Sequence, residues 1–332
     1  MRPLIVKHIT REAQGVVSLL LRSEDGASLP AYEAGAHLDV DMGNGLVRQY
    51  SLCGDPTQRD QYRLGVGLAP HSRGGSRHIH EALRVGDILR VGEPRQRFGL
   101  HAQAAAHVFI AGGIGITPFL GMILACERRG EPWTLLYCAR SRQHAAFLED
   151  LAPYPDQVHL HLDDEQAGAR CDVGAYLERV SRPASHVYCC GPASLMDAVG
   201  QACDERHVPR AHFHTERFSA PDRAPVDSSP PAGFANPGEP ASQNIGAFTL
   251  VLARSGGRYT VPADKSVLEV LEDAGIAWPH ACREGLCGSC EAGVLSGTVD
   301  HRDYVLSDAQ REGGACMMVC VSRASGVLEL DI

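Results

Sequence analysis

Cys282, Cys287 and Cys290 stand together in the run CREGLCGSC, and Cys320 follows after 29 further residues. A C-x4-C-x2-C spacing with one distant cysteine is the ligand pattern of a plant-type [2Fe-2S] cluster, so the first chemistry in reach is one-electron transfer. Two irons need thiolates from two directions, which one tight loop and one remote segment can deliver. Gly285 and Gly288 lack Cβ atoms and let the loop curl, turning N–H groups toward negative sulfur. A zinc site more often pairs CxxC with a second pair far along the chain. Cys316 and Cys320 both lie in CMMVC; residues 317–321 read as a buried strand with Cys320 shielded inside it, which leaves Cys316 outside the ligand set. Cys53, Cys126, Cys138, Cys171, Cys189 and Cys203 show no pairing pattern. A cluster beside so many thiols suits a reducing cytoplasm.

Other residues are suited to holding phosphates and rings. Ala111 to Pro118 spells AGGIGITP between an apolar run and a helical one. Gly112, Gly113 and Gly115 permit close approach of a dinucleotide, and Thr117 and Pro118 open a helix whose free N–H groups suit a pyrophosphate. The turn differs from the spaced GxGxxG fingerprint, and such turns also serve packing. Cys190 and Gly191 end another apolar run, at the strand end where ligands of parallel sheets bind; Cys190 either faces a nicotinamide or is a buried thiol. Earlier, Arg48-Gln49-Tyr50-Ser51 sets a ring and a hydroxyl beside a cation, and Arg73-Gly74-Gly75-Ser76 leads into helix, as a flat cofactor with a phosphate would need. None of the 16 histidines pairs with a carboxylate in a pattern for proton-transfer catalysis.

These residues need three kinds of scaffold. Residues 1–101 alternate apolar and polar positions in short runs (36–41, 63–67, 87–91), which predicts an antiparallel barrel, with a helix near 78–83. Residues 102–220 alternate strand runs (108–113, 134–138, 186–190) with helical ones (118–129, and another from 194), which predicts a doubly wound α/β sheet. Residues 221–245 are rich in Pro, Gly, Ser and Ala and read as a linker. Residues 246–332 form a third domain opening with a strand at 248–252 and an amphipathic helix at 266–274. The chain carries a net charge of −9, against a nucleic-acid partner. Within 246–332, 12 acidic and 7 basic residues give 12 − 7, or −5, either a solvated surface or an acidic face that steers the domain to a basic partner. No run nears the 18 apolar residues of a membrane span, and the start lacks a signal-peptide core.

In this order the motifs RQYSL (48–52), RGGS (73–76), AGGIGITP (111–118), YCCGP (188–192), HTERF (214–218) and the four cysteines resemble the phthalate dioxygenase reductase group of the ferredoxin-NADP reductase superfamily over essentially the whole chain. The resemblance implies a flavin-binding barrel, a nicotinamide-binding domain and a fused β-grasp-like ferredoxin. It places Arg48, Gln49, Tyr50 and Ser51 on the flavin and Arg73, Gly74, Gly75 and Ser76 around its phosphate. Gly112, Gly113, Gly115, Thr117, Cys190 and Gly191 fall at the nicotinamide nucleotide, and Phe218 covers a flavin face. Cys190, Thr117 and Phe218 are thereby nearest the reacting atoms, with Glu216 either tuning them or serving as a structural carboxylate beside Arg217. FMN is favoured over FAD, and NADH over NADPH; Arg140 and Arg142 would meet a 2′-phosphate or lie in a solvated loop. The implied partner is a terminal Rieske-type oxygenase of aromatic catabolism, docked transiently by a monomer. A reductase for a haem monooxygenase and a redox sensor are the rivals.

Overall fold

In a computed structural model, residues 1–43, 46–69, 72, 74–218 and 246–332 are described. Arg73 and the expected linker 221–245 fall outside them. The chain divides into a unit of Met1–Phe218 and a unit of Ser219–Ile332.

The first unit opens with seven strands: β1 (Arg2–Ala13), β2 (Val16–Arg22), β3 (Ala36–Asp41), β4 (Val47–Ser51), β5 (Tyr62–Gly67), β6 (Ile88–Val91) and β7 (Arg95–Gln96), with α1 (Gly75–Glu81) before β6. Their order is β4-β3-β6-β1-β2-β5, with β7 on β3. All pair antiparallel. The Leu52–Leu64 bridge, and the Cys53 N–H donating to the Arg63 carbonyl at 2.9 Å, join the two outer strands. That closure turns the sheet into a barrel and removes its exposed edges. Alternation does the rest, since Leu4 and Val6, Leu19 and Leu21, Leu38 and Val40, and Leu64 and Val66 all enter one core. Helix α1 starts at Gly75, three residues before the stretch expected from the sequence, because Ser72 provides polar contacts there: its hydroxyl accepts from the N–H groups of Gly74 and Arg77, each at 3.2 Å.

Next come β8 (Ala106–Gly112), α2 (Thr117–Arg129), β9 (Trp133–Ala139), α3 (Leu148–Leu151), β10 (Val158–Leu162), α4 (Val173–Val180), β11 (Ser185–Cys190), α5 (Ala193–Glu205) and β12 (Phe213–Glu216). The strands form a parallel sheet ordered β10-β9-β8-β11-β12. Every residue of β8 and β11 is buried, which is why they read as unbroken apolar runs. Helix α2 covers one face through Phe119, Met122 and Ile123. The other face is covered by α4 and α5 through Val173, Leu177, Met196 and Val199. Strand order reverses between β8 and β11, which makes their carboxyl ends the switch point where ligands bind. Phe98, Ala34 and Cys53 of the barrel share the α2-side core, so barrel and sheet pack as one unit.

The second unit holds β13 (Phe248–Leu252), β14 (Arg258–Val261), α6 (Val267–Asp273), β15 (Glu291–Asp300), α7 (Asp308–Gly313), β16 (Cys316–Met318) and β17 (Arg323–Leu330), ordered β14-β13-β17-β15-β16. Strands β13 and β17 run parallel at the centre, and α6 packs Val267, Leu268 and Leu271 onto the sheet, a β-grasp. Ser266 caps α6 in a capping box with Glu269. One expectation fails here. Residues 317–321 are not one strand: β16 ends at Met318 and Cys320 lies in a turn closed by the N–H groups of Val321 and Ser322 donating to the Met318 carbonyl, at 3.2 and 3.0 Å. A short apolar run is buried equally well as a tight turn, and period alone does not separate the two.

Candidate functional site

Between α6 and β15 the chain carries no regular structure from residue 277 to 290. It passes through the left-handed region at Arg283, Gly285 and Gly288, with φ of 60°, 70° and 69°. At Gly285 glycine is required twice over, since a Cβ there would stand 2.6 Å from Val321 Cγ2 and 3.0 Å from Asp303 Cα. These reversals aim N–H groups inward: Glu284 N donates to Cys282 Sγ at 3.3 Å and Ser289 N to Cys287 Sγ at 3.5 Å. Arg283, in a conformation unfavourable for a side chain, is held by both guanidinium ends on Glu272 of α6, one at 3.0 Å. Trp278 Nε1 donates to the Cys290 carbonyl at 3.4 Å, and the turn after β16 brings Cys320 over the loop.

The four sulfurs meet there. All four are free thiols, with Cys282 a neighbour of Cys287 and Cys320, and Cys290 a neighbour of Cys320. Sharing protons this way holds Cys282 and Cys290 below the usual thiol range and drives Cys287 and Cys320 above it. An all-thiol set in contacting pairs fits a binuclear iron–sulfur group. Cys287, Cys290 and Cys320 are buried, while Cys282 is partly exposed.

A second site forms in the first unit, where the barrel meets the switch point. Ser51, ending β4, donates from Oγ to Glu216 Oε2 at 3.4 Å. The β11–β12 register sets Glu216 beside Cys190. Burial lifts the Glu216 carboxyl to about 8 even though Ser51 opposes the shift. Burial, and secondarily Glu216, keeps the fully covered Cys190 thiol well above its ordinary range. Thr117 opens α2, buried, with its hydroxyl on the Ile114 carbonyl at 3.0 Å and its methyl against Gly65 of β5. Phe218, two residues past Glu216, is 44% exposed. The sequence left Glu216 either tuning the reacting atoms or serving as a structural carboxylate beside Arg217; Arg217 lies 3.7 Å from Asp197. Only tertiary burial makes Glu216 unusual, and one-dimensional spacing carries no signal of it.

The glycines divide by role. A Cβ on Gly115 would overlap the Cys190 carbonyl, and one on Gly112 would stand 2.6 Å from Pro192 Cδ. Gly191 sits against Gly112 in turn, a Cβ there being 2.9 Å from the Gly112 nitrogen. These three let the ends of β8 and β11 touch. Gly113, by contrast, has φ 54° and open space around it.

On the barrel side, the Arg48 side chain lies against Gly75 at the start of α1; a Cβ on Gly75 would be 2.6 Å from Arg48 Cγ. Tyr50 shares β4, its hydroxyl raised to about 12 by burial. The Gln49 amide is engaged elsewhere, on Asp39 Oδ1 at 2.8 Å. Gly74 has φ 97°, and the Ser76 hydroxyl donates to Ser72 Oγ at 3.0 Å and accepts from Ala69 N at 3.2 Å. A cation, a ring and small residues at a helix start fit a flat phosphorylated cofactor.

Such a barrel and nucleotide sheet, joined to a domain of four converging cysteines, define an iron–sulfur oxidoreductase. Residues 109–201 match the oxidoreductase NAD-binding domain family and residues 251–325 the 2Fe-2S iron-sulfur cluster binding domain family. The chain is 40% identical over 330 residues to the phenoxybenzoate dioxygenase subunit beta of Ectopseudomonas oleovorans, covering 99% of this chain and 97% of that one. The solved structure of phthalate dioxygenase reductase, described as modular for electron transfer from pyridine nucleotides to [2Fe-2S], superimposes with TM-score 0.70 at 36% identity, over 100% of this chain and 98% of that one. An intact type IV self-sufficient cytochrome P450 monooxygenase matches all of this chain with TM-score 0.86 at 38% identity, the match spanning 41% of that larger protein. The chain belongs to the phthalate dioxygenase reductase family. Among its described residues no helix is long and apolar enough to cross a membrane.

Proposed function

We propose that the chain is the reductase component of a Rieske-type oxygenase or demethylase system, a cytoplasmic monomer passing electrons from NADH through FMN and a [2Fe-2S] cluster to a terminal oxygenase. The observation that carries this reading is the junction at which Ser51 of the barrel meets Glu216 beside Cys190 of the sheet, with Thr117 of α2 set against Gly65 of the barrel in the same unit. When bound, nicotinamide supplies two electrons as a hydride, flavin accepts the pair and releases single electrons, and the cluster passes them one at a time. The residues hold and orient these groups. Arg73, Gly75 and Ser76 would surround the flavin phosphate, Arg48, Tyr50 and Ser51 would lie against its ring and ribityl chain, Phe218 would cover a face of the ring, and Cys190 and Thr117 would stand at the meeting point with the nicotinamide. Gly113 admits the nucleotide backbone. Arg142 lies 3.5 Å from Glu165, and with Asp163 and Asp164 alongside, this corner repels a 2′-phosphate; NADH is therefore the favoured donor. Cys282, Cys287, Cys290 and Cys320 hold the cluster.

Anaerobic addition of NADH to purified holoprotein tests this directly. Flavin and cluster absorbance should bleach together, NADPH should act much more slowly, and cytochrome c should then turn over. Bound cofactors that neither nucleotide bleaches would leave a redox sensor instead. The likeness to the P450 fusion supports a second reading, a reductase for a haem monooxygenase, separated by which class of oxygenase the protein sustains.

A further inference from the structure

At the end of the nucleotide sheet opposite the switch point, three side chains of metal-ligating type converge away from the electron path. His107 is the second residue of β8, Cys126 lies in the last turn of α2, and Glu131 follows Gly130, the left-handed residue that ends this helix. The Glu131 N–H donates to the Cys126 carbonyl at 3.0 Å and the His107 N–H to the Pro132 carbonyl at 2.9 Å, so the backbone folds all three onto one spot. One ligand atom from each, the Cys126 sulfur among them, lies within 4.8 Å of the other two. His107 and Cys126 are 1% and 0% exposed, while the Glu131 side chain is 30% exposed and opens the spot to solvent.

Two features separate this cluster from an ordinary buried ion pair. His107 Nε2 stands 3.3 Å from Glu131 Oε2, longer than the roughly 2.7–2.9 Å of a charge-assisted N–H···O bond. It is also the separation, about 3.3 Å, of a nitrogen and an oxygen that share one tetrahedral zinc at about 2.0–2.1 Å each. A zinc-bound sulfur at about 2.3 Å would stand about 3.6 Å from either, within reach of a small side-chain adjustment. Secondly, His107 Nδ1 is buried with no hydrogen-bond partner among the described residues, which a histidine kept for packing alone rarely shows. Arg129 reaches the same Glu131 oxygen at 3.7 Å, but its side chain is more than half exposed, so an arriving cation can displace it into water. Burial, and secondarily Glu131, hold the Cys126 thiol up at about 12; a divalent ion takes the place of that proton, since a coordinating thiol is deprotonated outright.

We propose that His107 Nε2, Cys126 Sγ and a Glu131 oxygen bind one zinc ion, with water as the fourth ligand, and that the ion ties the end of α2 to the start of β8. A thiolate, an imidazole and a carboxylate select a borderline-soft ion over magnesium or calcium. Binding releases the Cys126 proton to solvent and moves no electrons, so the site stands apart from the flavin and the cluster.

The test uses holoprotein stripped with a mild chelator, its visible spectrum confirming an intact cluster, then given one equivalent of zinc and desalted. About one zinc per chain should remain beside an unchanged iron content, and zinc K-edge absorption should show one sulfur at about 2.3 Å with nitrogen and oxygen at about 2.0–2.1 Å. The urea midpoint should rise when zinc is bound. Cys126→Ser, His107→Gln and Glu131→Gln should each weaken zinc binding roughly tenfold or more; Glu131 is partly exposed, so its variant carries the test if the two buried ones fail to fold. Cys171→Ser, which alters a partly exposed thiol elsewhere, should bind zinc as the parent does. No retained zinc overturns the site, and so does tight zinc binding that persists in Glu131→Gln. A shell of several sulfurs would mean that zinc had displaced iron from the cluster cysteines, and a shell without sulfur would mean an adventitious ion only; either result also overturns it.

Discussion

At the scale of single residues, Glu216 is the group whose state most affects the junction. Burial raises it to about 8, above the ordinary carboxyl value of 4.5, so folding favours the neutral acid. Stability from this group is complete below about 4.5 and lost as pH rises through 8. In activity the sign is the same, because a carboxylate beside Ser51 and Cys190 opposes the arrival of negative charge from a hydride. The rate of flavin bleaching by NADH, followed by stopped flow, should therefore fall above pH ~8, and Glu216→Gln should flatten that limb; an unchanged profile in the variant would remove Glu216 from the step. The two kinds of glycine separate just as cleanly. Gly115→Ala drives a methyl into the Cys190 carbonyl, backbone that cannot turn aside, and should cost about 2 kcal/mol or more in urea unfolding. Gly113→Ala meets open space at φ 54°, so about 1 kcal/mol of strain is expected, with the larger effect appearing as a raised KM for NADH.

At the scale of elements, the opposite end of the nucleotide sheet carries a histidine layer. His186 stacks on His101 at 4.4 Å and on His212 at 4.1 Å, and its Nδ1 shares one hydrogen bond of 2.9 Å with His214 Nε2. One ring nitrogen donates and the other accepts. Burial first, and neighbouring rings second, depress both His186 and His214 to about 4. With folded values below the unfolded 6.5, the stability they confer is complete above 6.5 and lost as pH falls toward 4. Allowing for solvent screening, the first unit should lose on the order of 2 kcal/mol between pH ~7 and ~4. Trp133 is the only tryptophan of that unit, the other of the two being Trp278, so its fluorescence in a Trp278→Phe background can report the urea midpoint. Elements of this kind were legible in the sequence to different depths. Helix α2 is bracketed by Pro118 and by Gly130 at φ 64°, local signals that a linear reading detects. Strands β8 and β11 announce themselves as apolar runs. The turn holding Cys320, closed on the Met318 carbonyl, and the early start of α1, set by Ser72, rest on local hydrogen bonds that apolar period does not announce, whereas the burial that sets Glu216 apart from an ordinary carboxylate comes from segments far along the chain.

At the scale of the whole molecule, the hydrophobic cores show which parts depend on one another. Phe98 and Cys53 of the barrel share one cluster with Phe109 and Phe119 of the nucleotide sheet, whereas Leu250, Leu271, Met317 and Leu328 form a cluster drawn wholly from residues beyond 246. A barrel separated from its nucleotide sheet would expose the shared cluster, and the two should not survive being cut apart between residues 101 and 102. Severing the chain after Phe218 divides no described core. A fragment of residues 1–218 should thus unfold cooperatively by circular dichroism, retain FMN, and oxidise NADH with ferricyanide at close to the full-length rate. It should fail with cytochrome c, because the electrons would lack the four-cysteine domain that releases them singly. That domain carries −5 of the total −9, and in the full chain added salt should slow cytochrome c reduction while leaving ferricyanide reduction from the flavin much less affected. Equal loss of both activities in the fragment would mean that the second unit supports flavin reduction itself, contrary to the division of labour drawn from the cores.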